Sequence, residues 1–208
     1  MMLAINIDEF KSTPLRIDPY QYLIVPDFLN KTAITAIEKD YPRIKKAGSF
    51  PLETLSYGKA FSDLIEELKG TEIRQAFEEK FHTDLKGKPT TITVRGHCQE
   101  KDGKIHNDSK TKIITALLYM NPEWSQAGGK LRILRSGNSL ENFAEEVTPQ
   151  TGTLVAFKRN ERSFHGHKTF TGQRRVIQMN WVSTHAANFL EISRHKISAW
   201  MKSVFYSI

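Results

Sequence analysis

Short apolar segments separated by turn residues dominate the chain between residues 89 and 183. They are rich in Ile, Val, Thr and aromatic residues, which favour β-strands. Turn-forming pairs such as Gly128-Gly129 separate them. On this pattern we predict strands at residues 90–94, 112–121, 130–134, 153–157, 163–167 and 174–182. Several short strands at this spacing are typical of a β-sandwich or β-barrel.

Helical periodicity comes before and after this β region. Residues 20–28 predict one further strand, and apolar spacing predicts helices at about residues 30–41, 61–68 and 71–81. Apolar residues also recur at helical spacing in the last segment. We therefore expect a single α+β domain over residues 1–208 with a mainly β core. Its expected parts are an N-terminal strand with supporting helices at 1–88, the core at 89–183 and a C-terminal amphipathic helix at 184–208.

Composition narrows the class of protein. Hydrophobic residues make up 39% and charged residues 25% of the chain, which is ordinary for a soluble globular protein. The single cysteine, Cys98, excludes an internal disulfide. No signal sequence and no run of roughly 18 apolar residues is present, so we expect a cytoplasmic protein without a membrane partner. The net charge of +7 comes from scattered cations, which does not favour a nucleic-acid partner.

Two motifs offer metal ligands. His106 and Asp108 are two residues apart, so their side chains face the same way in an extended segment. Such a pair alone occurs by chance in many chains. His165 and His167 also share one face and offer two candidates for a third ligand. Two histidines and one carboxylate on one face leave three metal positions open, a set that suits Fe(II) and oxygen chemistry.

Two adjacent arginines, Arg174 and Arg175, begin the last predicted strand. An arginine forms a planar, paired contact with a carboxylate, so either residue could bind an acidic ligand. Because neighbours in a strand point to opposite faces, only one of them can enter a cavity shared with the metal ligands. The residue pattern leaves this choice open.

The order of these motifs resembles the Fe(II)/2-oxoglutarate-dependent oxygenases of the prolyl 4-hydroxylase-like group. The resemblance covers residues 95–182, and more loosely the chain from residue 20. Its motifs are H-N-D at 106–108, T-A-L-L-Y-M-N at 115–121 with Trp124, G-G-K-L at 128–131, V-T-P at 147–149 with G-T-L-V-A-F at 152–157, S-F-H-G at 163–166, and G-Q-R-R at 172–175 with Trp181. Motifs in this order are far more specific than any one of them alone.

The resemblance implies both a fold and a metal site. The fold is a double-stranded β-helix, or jelly roll, braced by the N-terminal helices and the C-terminal helix. The implied iron ligands are His106, Asp108 and His165, since the family's distal histidine follows a pair of the Ser163-Phe164 kind.

The resemblance also implies a co-substrate site. Arg175 lies ten residues after the distal histidine and six before Trp181, which matches the family's residue that binds the far carboxylate of 2-oxoglutarate. Tyr119 matches the tyrosine that hydrogen-bonds the same carboxylate, and Trp181 is expected at the floor of the pocket. Three residues are candidates for holding the tautomers of the metal ligands: His167, Asn107 and Arg95.

The implied activity is hydroxylation of an unactivated C–H bond, coupled to conversion of 2-oxoglutarate to succinate and CO2. Fe(II), 2-oxoglutarate and O2 are the expected cofactors, with ascorbate as a stimulant. The expected substrate is a peptide or protein of the prolyl-hydroxylase kind, chosen by loops at 99–105 and 136–145 and part of the N-terminal region.

Several alternatives remain. A small molecule or glycan precursor could be the substrate, or the chain could be a cupin-like metal-binding protein that does not use 2-oxoglutarate. A nucleic-acid demethylase is disfavoured, because such relatives tend to carry a second arginine where Trp181 stands. The complete metal triad disfavours an inactive binding module.

Overall fold

Two antiparallel sheets and four helices make up the part of the chain that the computed structural model describes, residues 3–184 and Ser193. The helix predicted at 184–208 falls outside these residues, apart from its Thr184 and Ser193. The strands are β1 Tyr22–Val25, β2 Ser49–Pro51, β3 Thr90–Cys98, β4 Lys112–Tyr119, β5 Leu131–Leu134, β6 Phe143–Val147, β7 Leu154–Lys158, β8 His165–Gly166 and β9 Gly172–Val182. The helices are α1 Ile7–Ser12, α2 Lys31–Asp40, α3 Lys59–Leu68 and α4 Thr71–Phe81, with a 3-10 turn at Leu52–Thr54.

The larger sheet has six strands in the order β1-β7-β4-β9-β3-β2. The smaller sheet has three strands in the order β6-β5-β8. All the pairings between neighbouring strands in both sheets are antiparallel. The expected mainly β core is present, and the N-terminal region contributes β1 and β2 to it.

Alternation along β4 divides its side chains between two apolar clusters. Ile114, Ala116 and Leu118 pack on the side of the helices, in a cluster that also holds Phe61 and Phe77. Residues two apart share one face of a strand, so the intervening side chains point toward the smaller sheet. The larger sheet is therefore covered on both faces.

The second cluster lies between the two sheets. Leu117 and Tyr119 of β4 pack there with Ile133 of β5 and Val147 of β6. Thr115 belongs to the same face by alternation. This inter-sheet layer is where polar side chains of the larger sheet face a cavity.

The predicted apolar faces of two helices are confirmed. In α3 the buried residues are Phe61, Leu64, Ile65 and Leu68, and in α4 they include Ile73, Phe77 and Phe81. Strand β6 overlaps the segment 136–145 that was expected to be a loop. Of its residues only Val147 is buried, so the sequence of this strand shows little of the apolar alternation that predicts a strand.

None of the described helices has the length and apolar character needed to cross a bilayer.

We expect Phe77→Ala to lower the free energy of unfolding by about 3–5 kcal/mol, because it leaves a cavity in the core. The Phe77 ring lies 4.6 Å from that of Phe10 and 4.7 Å from that of Trp181, between centroids. Urea denaturation measures the change. Ile17→Ala is the control, since Ile17 is 74% exposed. Equal stability losses in the two variants would contradict this packing of α4 on the sheet.

Candidate metal centre and adjoining cavity

Three predicted metal ligands, His106, Asp108 and His165, converge at one point. One ligand atom of each side chain lies within 4.8 Å of the other two. His106 lies opposite His165 in an isolated antiparallel bridge, with two reciprocal backbone hydrogen bonds of 3.0 Å. Backbone pairing therefore brings together two segments that are distant in sequence.

Backbone carbonyls orient both imidazole rings. His106 Nδ1 lies 2.9 Å from the carbonyl oxygen of Lys104, and His165 Nδ1 lies 3.0 Å from that of Ser163. Each carbonyl accepts the Nδ1 hydrogen, so Nε2 keeps its lone pair for a metal. Burial lowers the pKa of His165 to about 4, in spite of the nearby Asp108 carboxylate. The ring is therefore neutral near pH 7, which is the form that binds metals.

Asp108 is held by two donors. Its Oδ1 accepts a hydrogen bond from Lys112 Nζ at 2.8 Å, and its Oδ2 accepts one from Thr115 Oγ1 at 2.6 Å. Burial alone would raise the pKa of this carboxyl, but the Lys112 ammonium, His165 and the two hydrogen bonds lower it to about 2. The Asp108 carboxyl is therefore ionised, although its side chain is almost fully enclosed.

A buried polar chain continues behind Asp108. The Thr115 hydroxyl also lies 3.1 Å from Asn180 Oδ1, and Asn180 Nδ2 donates to Thr91 at 3.0 Å. Thr115 belongs to β4, Asn180 to β9 and Thr91 to β3, so three neighbouring strands support the carboxylate. Sequence reasoning missed Thr115 and Lys112, although the parity of Thr115 in β4 already placed it on the cavity face.

The three residues expected to hold the tautomers of the metal-binding histidines make other contacts. Asn107 accepts a hydrogen bond from Ser163 at 2.7 Å, which ties together the two segments that carry the histidines. Arg95 forms an ion pair with Asp102. His167 Nδ1 lies 2.8 Å from the carbonyl oxygen of Lys168. The expectation is therefore corrected, because backbone carbonyls contact the ring nitrogens instead.

A cavity of about 150 Å³ adjoins the three ligands. Part of its wall is apolar and is formed by Leu117, Leu131 and Val176. Polar and charged side chains form the remainder, among them Ser49, Thr93, Arg95, Asp102, Gln178 and Arg174.

Arg174 supplies a buried guanidinium to this cavity. It is 5% exposed, its Nε donates to the carbonyl of Gly129 at 2.8 Å, and its Nη2 lies 3.4 Å from the hydroxyl of Tyr119. Within the described part of the chain, no carboxylate forms an ion pair with Arg174. A buried charge normally has a partner, so the geometry suits an acidic ligand.

Arg175 lies on the opposite face of β9, and the expectation that it enters the cavity is corrected. Its guanidinium carbon is 5.4 Å from the centre of the Tyr41 ring. In the favoured amide orientation, the Gln173 oxygen accepts from Nε and Nη2 of Arg175 at 2.8 Å each. Adjacent strand residues alternate between faces, so Arg174 and Arg175 cannot both reach the cavity.

Trp181 shares the face of Arg175, and its expected place in the pocket is corrected for the same reason. Its ring is buried among the helices, with its centroid 4.7 Å from that of Phe77. Tyr119, by contrast, packs in the layer between the two sheets, and its ring centroid lies 5.2 Å from the guanidinium carbon of Arg174.

A family model described as the 2OG-Fe(II) oxygenase superfamily matches residues 75–183, more than half of the chain. This chain belongs to that superfamily. The matched span includes strands β3–β9 and all three converging side chains. This oxygenase is accordingly an Fe(II)- and 2-oxoglutarate-dependent dioxygenase that uses O2. No curated protein matches it in sequence.

Solved structures share the fold of this oxygenase at low sequence identity. A prolyl-4-hydroxylase from Pseudomonas putida has a TM-score of 0.54 and 16% identity, over 85% of this chain and 97% of that chain. A viral collagen prolyl hydroxylase from Paramecium Bursaria Chlorella virus-1 has a TM-score of 0.54 and 13% identity, over 78% and 96%. HygX from Streptomyces hygroscopicus, with nickel and 2-oxoglutarate bound, has a TM-score of 0.55 and 12% identity, over 81% and 84%. These similarities confirm the jelly-roll fold.

We expect Thr115→Val to lower the free energy of unfolding by about 1–3 kcal/mol, because it leaves buried polar atoms without a partner. Valine has the shape of threonine but cannot donate to Asp108. Thr115→Ser keeps the hydroxyl and is the matched control. Chemical denaturation of the metal-free oxygenase measures both variants, and equal stability in the valine variant and the wild type would contradict the role of this hydrogen bond.

Proposed function

We propose that His106, Asp108 and His165 hold Fe(II) and that Arg174 and Tyr119 bind 2-oxoglutarate, in a hydroxylase that acts on a prolyl residue of a peptide or protein. The donor set supports the metal role. Two imidazoles and one carboxylate on one side of a metal leave positions for a chelating co-substrate and O2. When bound, Fe(II) and 2-oxoglutarate supply the oxidative chemistry.

The position of Arg174 is the observation that carries the proposal. Its guanidinium lines the same cavity as the three metal ligands, and it forms no ion pair within the described residues. A dicarboxylic acid that reaches the metal with one end could form charge-assisted hydrogen bonds with Arg174 at the other end. The Tyr119 hydroxyl, 3.4 Å from Arg174 Nη2, is placed to contribute a further hydrogen bond.

The apolar part of the cavity wall supports the same assignment. Leu117, Leu131 and Val176 line the cavity that also holds Arg174. Such a wall excludes water from the carbon chain of a bound dicarboxylic acid and strengthens the ionic contact at its end. The protein thereby orients the co-substrate and limits the access of solvent.

The substrate class rests on the shared fold. Solved structures described as prolyl hydroxylases, from Pseudomonas putida and from a chlorella virus, have the same architecture. A small polar molecule, such as a glycan precursor, is the second candidate. One observation favours it: the cavity wall beyond the metal ligands includes Ser49, Thr93, Asp102 and Gln178, which offer hydrogen bonds rather than apolar contact.

We expect Arg174→Ala to weaken 2-oxoglutarate binding by at least about 30-fold, because losing a buried charged hydrogen-bond partner costs about 2 kcal/mol or more. Arg175→Ala is the matched control, one residue away on the opposite face, and should change the affinity by less than about threefold. An anaerobic titration of the Fe(II)-loaded protein, followed by charge-transfer absorbance, measures both. A larger effect at Arg175 would overturn the assignment.

We expect His106→Ala to abolish succinate release with every substrate, because it removes a metal ligand. The control is His82→Asn, which changes an exposed histidine at the end of α4 to a residue that tolerates its positive φ of 46°. The assay compares proline-containing peptides with free sugars and amino acids. Succinate release stimulated by the peptides supports the prolyl substrate, whereas stimulation by the small molecules alone refutes it. Turnover in the His106 variant refutes the metal site.

A further inference from the structure

The strongest unassigned feature of the site is the ammonium group of Lys112. It lies 2.8 Å from Asp108 Oδ1, and the two side chains are only 10% and 7% exposed. Lys112 opens β4, and its backbone nitrogen donates to the carbonyl of Ser109 at 3.0 Å. This tight turn places the lysine directly beside a proposed iron ligand.

Both oxygens of Asp108 already have partners. Thr115 donates to Oδ2 at 2.6 Å, while Lys112 donates to Oδ1. A divalent cation that binds Asp108 must therefore share an oxygen with one of these donors or displace it. The hydroxyl of Thr115 is neutral, whereas the ammonium of Lys112 carries a full charge on a flexible stem.

The charge of Lys112 acts in opposite directions with and without metal. Without metal, it compensates a buried carboxylate that would otherwise be costly to keep ionised. A divalent cation bound to Asp108 would lie close to this ammonium, and the repulsion between the two charges would be only weakly screened inside the protein.

We propose that Lys112 is an internal counter-ion that stabilises the metal-free centre and weakens its affinity for divalent metal. The inference rests on the proposed metal site and goes beyond it. It states that Lys112, which is not one of the three ligands, controls the affinity of the site for divalent metal. It follows that the site does not hold its metal as tightly as its three ligands would allow.

The test compares Mn(II) affinity of the metal-free wild type with that of Lys112→Met and Lys112→Arg. Calorimetry under anaerobic conditions gives the dissociation constants, and thermal melting gives the rise in Tm at saturating Mn(II). We expect Lys112→Met to bind Mn(II) at least about tenfold more tightly and to show a larger Mn(II)-dependent rise in Tm, because a neighbouring positive charge is removed. Lys112→Arg keeps the charge and should stay within about threefold of the wild type.

Lys59→Met is the matched control. Lys59 also pairs with an aspartate four residues away, Asp63, at 2.8 Å, but its side chain is 82% exposed on α3. It should leave Mn(II) affinity unchanged. Lys112→Gln provides a second neutral variant that keeps a hydrogen-bond donor in case Lys112→Met does not fold without metal.

The outcomes separate this inference from the proposed function. Unchanged or weaker Mn(II) binding in the neutral Lys112 variants overturns the inference, as does their failure to fold even at saturating Mn(II). If the wild type itself binds no Mn(II), the proposed metal site fails instead.

Discussion

Strand β9 decides which side chains reach the site, because it pairs with both β3 and β4 in the middle of the larger sheet. Its alternation sends one set of residues to the cavity and the other to the helical core. Arg174 and Gln178 face the cavity, while Met179 and Trp181 pack on the helices. A shift of one residue in this register would exchange the two sets and turn Trp181 toward the cavity face of the sheet. The packing of Trp181 against Phe77 therefore fixes the position of Arg174 from the other side of the sheet.

The convergence of His106, Asp108 and His165 depends on one short stretch of backbone pairing. His106 precedes β4 in a segment that is not part of any strand, and its extended conformation comes from pairing with His165. The same two segments are joined by the hydrogen bond between Asn107 and Ser163. Because carbonyl oxygens orient the imidazoles, the rings need no dedicated side chain to hold their tautomers. Backbone contacts alone therefore set the orientation of both rings in these short segments.

Much of the site could be predicted from sequence, because the spacing within the H-x-D and S-F-H-G segments determines which way their side chains point. The helices and most strands follow from periodicity for the same reason. The choice between Arg174 and Arg175 failed because it relied on distances along the chain from His165 and Trp181, which a bulge or a turn shifts by one. Strand parity would have resolved it, since Trp181 is the kind of residue that belongs in the apolar core and Arg175 shares its face. Contacts made by backbone carbonyls, such as that of Ser163 with His165, cannot be predicted from residue types, because every residue has a carbonyl group.

The ion pair between Lys112 and Asp108 could not be predicted from the sequence, because it depends on how the chain turns between the two residues. Lys112 is four residues from Asp108, and in an extended chain this spacing would separate the charges. The turn between Ser109 and Lys112 instead folds the chain back and brings the ammonium onto the carboxylate. Without metal, an enclosed carboxylate needs a compensating charge from the protein itself. Lys112 meets that need, because its ammonium reaches Asp108 Oδ1 at 2.8 Å from the first residue of β4.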